Sequence, residues 1–90
     1  MLVADLVGKS EYYGYPHTVA KARVIALDAG NCSILFDTMR NKPEYIDKFM
    51  KGEIVSLWAD VVHIGCNGSI VHIDPVIKIY VSHDSWKRGE

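Results

Sequence analysis

The fold is decided by Glu53-Ile54-Val55-Ser56-Leu57-Trp58-Ala59-Asp60-Val61-Val62-His63-Ile64-Gly65-Cys66-Asn67-Gly68-Ser69-Ile70-Val71-His72-Ile73. Branched and aromatic residues fill both flanks of Asn67-Gly68, and such side chains suit a pleated, half-buried surface. Asn-Gly is the favoured pair for a two-residue type I′ turn, whose central residues both need positive φ. The stretch therefore predicts a long hairpin, Glu53 to Gly65 against Ser69 to Ser82. With Asn67 and Gly68 as the turn, Cys66 faces Ser69, Trp58 faces Ile77 and His63 faces His72. One face then carries Ile54, Trp58, Val62 and Ile64 opposite Val81, Ile77, Ile73 and Val71, a nearly unbroken apolar surface suited to a core. The other carries Val55, Leu57, Val61 and His63 opposite Tyr80, Lys78, Asp74 and His72, a mixture suited to solvent or a ligand. A bulge would exchange the two faces beyond it, and Pro75, which cannot donate to a ladder, is the expected place for a break.

Upstream of the hairpin the spacing predicts one short helix of about three turns. Asn41 is its expected N-cap, Glu44 completes a capping-box pattern, and Pro43 sits in the first turn, where its missing N–H is harmless. Tyr45, Ile46, Phe49 and Met50 form its apolar face, and Gly52 is the expected stop. Earlier still, Thr18 to Leu27 reads as a strand rich in branched residues, Asp28 to Asn31 as a turn with Gly30 or Asn31 free to take positive φ, and Cys32 to Phe36 as the returning strand. Leu2 to Val7 is a short strand or a turn of helix. Lys9 to His17 is a loop dense in tyrosine and turn formers.

Ninety residues, 49% of them hydrophobic, suit one small domain spanning 1–90, with residues 83–90 as a flexible C-terminal tail. Neither a secretory leader nor an apolar run of about 20 residues is evident, and two cysteines, Cys32 and Cys66, do not make a secreted disulfide framework. The expected location is the cytoplasm. The net charge of −1 argues against a dedicated duplex-DNA binder, whose affinity comes mainly from phosphate neutralisation. A Gly-rich phosphate loop, a nucleophile elbow and a zinc-hydrolase motif are all missing from the sequence, so the chain is expected to be non-enzymatic and to need no cofactor.

Lys51-Gly52-Glu53-Ile54-Val55-Ser56-Leu57-Trp58-Ala59-Asp60-Val61 resembles the passage from the helix into the fourth strand of oligonucleotide/oligosaccharide-binding (OB-fold) domains. Ala22-Arg23-Val24-Ile25 is similar to their first strand, and Gly68-Ser69-Ile70-Val71-His72-Ile73 to their last. The resemblance covers roughly Thr18 to Tyr80 and is closest in style to single-stranded nucleic-acid binders. It implies a mostly-β, five-stranded OB-like barrel with one short helix before the last hairpin, and a ligand groove flanked by Asp28–Asn31 and Cys66–Ser69. The family places two strands between its first strand and the helix, where only Cys32 to Met39 fits here. Either Phe36 to Arg40 bends into a very short third strand or Leu2 to Val7 supplies a fifth; an SH3-like barrel is the alternative.

Three groups of residues carry candidate chemistry. Tyr12, Tyr13 and Tyr15 with Lys21, Arg23 and Lys78 match the design of single-strand binders, in which bases stack on flat rings and cations follow the backbone. The plainer alternative is that one or two of these tyrosines close an end of the barrel. His63, His72 and Asp74 on one face offer three ligands for zinc or a pair of imidazoles that resist joint protonation; without a fourth ligand the expectation is no metal. Arg40, Lys42, Lys48 and Lys51 around the helix, and Trp86-Lys87-Arg88 near the C-terminus, are basic surfaces that read most simply as solvated. The expected function is binding of single-stranded DNA or RNA, as a small subunit of a larger complex. The alternative is a protein-interaction module or a homo-oligomeric β-barrel that pairs through an edge of the last hairpin.

Overall fold

A computed structural model describes residues 1–8 and 22–87, with the backbone alone at positions 62, 64, 66, 70–72 and 74. The elements run α1 (Val3–Val7), β1 (Arg23–Asp28), β2 (Ile34–Asp37), α2 (Pro43–Asp47), β3 (Ile54–Cys66), β4 (Ser69–Val81) and α3 (His83–Lys87). The chain is mostly β. Its four strands form one mixed sheet in the order β2-β1-β4-β3. Among the described residues the sheet is open and has four strands, where five closed into a barrel were expected. Leu2 makes a single bridge to Glu53 and then turns into α1, and Thr38 to Arg40 form a turn.

The hairpin forms where the sequence places it. Asn67 (φ 54°) and Gly68 (φ 81°) are its left-handed turn residues, and Cys66 pairs with Ser69 and Gly65 with Ile70. The register then slips. Ile64 pairs with His72, which leaves Val71 as an extra residue on β4. A second slip leaves Val55 extra on β3, between the Ile54–Val81 and Ser56–Tyr80 pairs. Between these two bulges every pair is displaced by one residue, which exchanges the expected faces. Leu57 lies opposite buried Ile79, and Trp58 lies opposite Lys78. Trp58 is therefore not in the core, and His63 faces Ile73 instead of His72. The break falls beside Gly65, where an added Cβ would come within 3.0 Å of the Ser69 carbonyl oxygen, and not at Pro75.

β1 runs parallel to β4, from Arg23 opposite Val76 to Asp28 opposite Val81, and antiparallel to β2. Alternate residues Val24, Ala26 and Asp28 are buried, the period-2 pattern of a strand with one face on a core. That core is Val3, Val7, Val24, Ala26, Leu35, Phe36, Ile46, Phe49, Ile79 and Val81. Phe49 is central to it, with its ring 5.6 Å from Phe36 and 5.0 Å from Trp86.

The helix before the hairpin is shorter than expected. α2 spans five residues, and Lys42, not Asn41, occupies its N-cap position. Asn41 instead accepts the Asp37 amide through Oδ1 at 2.7 Å. After Asp47 the chain continues in tight turns, with Phe49 bonded to Ile46 and Gly52 to Phe49, which still brings Ile46 and Phe49 into the core. The Asp28–Asn31 turn also differs: Cys32, not Gly30 or Asn31, takes the left-handed conformation at φ 62°. Of the C-terminal residues, His83 to Lys87 form α3, and Trp86 packs against the core.

Candidate interaction surface

β1 reaches only Val76 to Val81 of β4. Beyond Val76 the hairpin continues as a two-stranded arm of residues 61–75, and the molecule measures 45 Å along its longest axis. Thirteen residues at about 3.4 Å each give roughly that length, so the hairpin sets the long dimension. β3 is the outer strand of the sheet. Its start is covered: the Ile54 amide donates to the Met1 carbonyl at 2.8 Å, and Leu2 bridges Glu53. From Val55 onward, nothing among the described residues pairs with its outer edge.

This edge is apolar. Val55 is 59% exposed, Leu57 45%, Trp58 42% and Val61 46%, with Ile73 at 53% on the neighbouring strand. Leu57 pairs with the core residue Ile79, and Val61, four residues on, shares its face of the outer strand. Edge strands are commonly blunted by lysine, proline or inward-pointing charge. From Val55 to Cys66 the one Asp, Glu, Lys or Arg is Asp60. The Val61 amide, with Lys78 Nζ 3.3 Å away, holds its carboxyl below the usual range.

On the opposite face Trp58 stacks on Tyr80 with centroids 5.2 Å apart and planes at 30°, a tilted aromatic pair beside the Lys78–Asp60 ion pair. Of the residues expected to bind nucleic acid, Lys78 thus stands next to two rings, but not those foreseen. Arg23 is largely enclosed, at 12% side-chain exposure. Its Nε donates to Asp37 Oδ1 at 2.9 Å and its Nη2 to Oδ2. Burial pushes the Asp37 carboxyl up, but Arg23, the Met39 amide and Arg40 outweigh it and hold it low. Tyr12, Tyr13, Tyr15 and Lys21 lie outside the described residues. For the zinc candidates, the backbone pairs His72 with Ile64 and Asp74 with Val62, so neither lies opposite His63. Among the described residues no group of three or more His, Cys, Asp or Glu is placed to hold a metal.

A polar cluster that the sequence did not announce ties α3 to the β1–β2 turn. Asp28 is fully buried. Its Oδ1 accepts the Gly30 amide at 2.7 Å and the Asn31 amide at 3.2 Å. Its Oδ2 accepts Trp86 Nε1 at 2.9 Å and lies 2.7 Å from His83 Nδ1. Burial pushes this carboxyl up, yet the hydrogen bonds from His83, Trp86, Gly30 and Asn31 prevail and bring it down to about 2. With Asp28 ionised, His83 Nδ1 must carry the hydrogen between them. The available signal was an Asp opening a turn, which commonly caps the following amides; its partners, 55 and 58 residues away in sequence, gave none. Among the described residues every buried side-chain polar atom has a hydrogen-bond partner, as a settled interior requires.

No protein-family model matches the chain, and no curated protein or solved structure is significantly similar to it. No helix among the described residues is long and apolar enough to cross a membrane.

Proposed function

We propose that the chain is a non-enzymatic protein-interaction domain whose contact element is the β3–β4 hairpin. The observation that carries this reading is the outer edge of β3, long, apolar and unpaired from Val55 onward among the described residues. Such an edge accepts a further strand through main-chain hydrogen bonds, with alternate side chains supplying selectivity. The near-neutral charge suits association with proteins better than with a polyanion. An exposed, unpaired Cys32 fits a reducing compartment such as the cytoplasm. The test is affinity capture of proteins from cell extract by the tagged full chain, alongside Leu57→Lys and Val61→Lys. A protein, including further copies of the chain, retained by the unaltered domain and lost from both variants supports the reading. Identical captured sets from all three would remove it.

A second reading, single-stranded nucleic-acid binding by an OB-like domain, is favoured by the Trp58–Tyr80 pair with Lys78 beside it. Base–aromatic stacking contributes about 1–3 kcal/mol per base. Labelled single-stranded DNA and RNA, titrated at low and moderate salt, would show saturable, salt-weakened binding. Trp58→Ala or the triple Tyr12, Tyr13 and Tyr15→Ala variant would weaken it. No binding at low salt would remove this reading.

A further inference from the structure

We propose that Asn67 is a modification site, whose side-chain amide is lost spontaneously by ring closure onto the Gly68 nitrogen, leaving aspartate and isoaspartate at the hairpin tip. The inference stands apart from the interaction-domain reading, since it rests on the turn and not on the edge of β3. The chain holds three asparagines. Asn41 precedes Lys42, and its Oδ1 accepts the Asp37 amide at 2.7 Å. Asn31 precedes Cys32, and its Oδ1 accepts the Ser33 amide at 2.9 Å and the Ser33 hydroxyl at 2.6 Å. In both, a held carboxamide and a following side chain obstruct attack on Cγ. Asn67 and Gly68 are exposed, and Gly68 presents a main-chain nitrogen with no Cβ beside it.

The Gly68 amide first loses its proton to hydroxide. Its nitrogen then bonds to Asn67 Cγ, the Cγ–Nδ2 bond breaks, and the amide group leaves as ammonia with a proton from water. The product is a cyclic imide. Water opens it at either carbonyl: cleavage of the new bond leaves aspartate, and cleavage of the original peptide bond leaves isoaspartate, with the chain running through Cγ. Overall a water is consumed and an ammonia released, with no oxidant or reductant. Ring closure needs Asn67 to turn about its Cα–C bond, and the closed turn, with its residues at φ 54° and 81°, resists that rotation. The tip must therefore open first. Cys66–Ser69 and Gly65–Ile70 close it before the register slips at Val71, and among the described residues β1 reaches no further along β4 than Val76. A ladder interrupted by a bulge so close to its end opens locally at small cost. Isoaspartate lengthens the main chain by one atom and adds a carboxylate, so the two-residue turn no longer fits and the Cys66–Ser69 register is lost.

The test holds the full chain at physiological temperature in neutral and mildly alkaline buffer, samples it over weeks, and cuts it after lysine and arginine. Asn31, Asn41 and Asn67 then fall in separate peptides, 24–40, 41–48 and 52–78. Mass spectrometry should show NH2 replaced by OH in peptide 52–78, as two chromatographically separate products. That conversion should run at least about tenfold faster than in the other two peptides, because only Gly68 leaves the attacking nitrogen uncrowded. It should be faster in the alkaline buffer, faster again in chain unfolded by guanidinium, and absent from Asn67→Gln. An unchanged peptide 52–78 in the folded chain overturns the proposal, as does conversion of all three peptides at one rate. A rate unmoved by pH overturns the imide route, and equal rates in folded and unfolded chain overturn the requirement that the tip open.

Discussion

Asp28 shows how one carboxylate can set the position of two distant segments. It satisfies two turn amides and holds His83 and Trp86, so it fixes both the β1–β2 turn and α3. Asp28→Ala should cost about 3 kcal/mol, because it leaves several donors without their charged acceptor. Urea unfolding at neutral pH would measure this. The pH dependence follows from the depressed carboxyl. Its folded value of about 2 lies below its ordinary 3.8, so its stabilisation is complete above the ordinary value and is lost as pH falls through 3.8 toward 2. Asp37, also held low by Arg23 after burial is overcome, acts in the same direction. Asp28→Asn should flatten the stability profile across that window, seen as a smaller fall in melting temperature between neutral and acid buffer. Gly52 is a different kind of constraint, because a Cβ there would lie 2.5 Å from Val81 Cγ1 and 3.1 Å from the Phe49 carbonyl oxygen. Gly52→Ala should therefore destabilise by about 2 kcal/mol through overpacking. Thermal unfolding of the variant would measure the loss.

The hairpin is the element whose existence was most legible and whose faces were least so. Asn67-Gly68 announces a type I′ turn on local grounds, and the turn forms there with both residues at positive φ. Its chemistry predicts that Gly68→Ala costs about 1 kcal/mol through backbone strain alone, since no atom lies within 4 Å of the added Cβ. Gly68→Asn should cost less, because Asn tolerates the left-handed region; equilibrium unfolding of the two variants would rank them. The faces depend on Val55 and Val71, the bulge residues, and nothing in a run of branched side chains marks which one is extra. One unmarked residue was enough to move Trp58 from the expected core to an aromatic pair on the far face, and to separate His63 from His72. The helix illustrates the same division. Its apolar spacing at Ile46 and Phe49 was legible and both are buried. Its cap was not, because Asn41 makes a competing bond to the Asp37 amide, a partner settled by the preceding strand.

At the scale of the molecule, the parallel pairing of β1 with β4 was the feature hidden from the sequence. It joins Arg23–Asp28 to Val76–Val81, about fifty residues apart, and no local signal specifies such a contact. That pairing makes β4 an interior strand and leaves β3 as the edge; the proposed interaction surface follows from it. Among the described residues the sheet is open, and no strand among them pairs with the outer edge of β3 beyond Ile54. Amide hydrogen exchange along β3, followed by nuclear magnetic resonance in dilute solution, tests whether that edge is open. Every second amide between Val55 and Ala59 should exchange rapidly in dilute solution. The amides of β1, a strand paired on both sides, should stay protected. Uniform protection along β3 would contradict the open edge, because the edge would then be covered within the single chain.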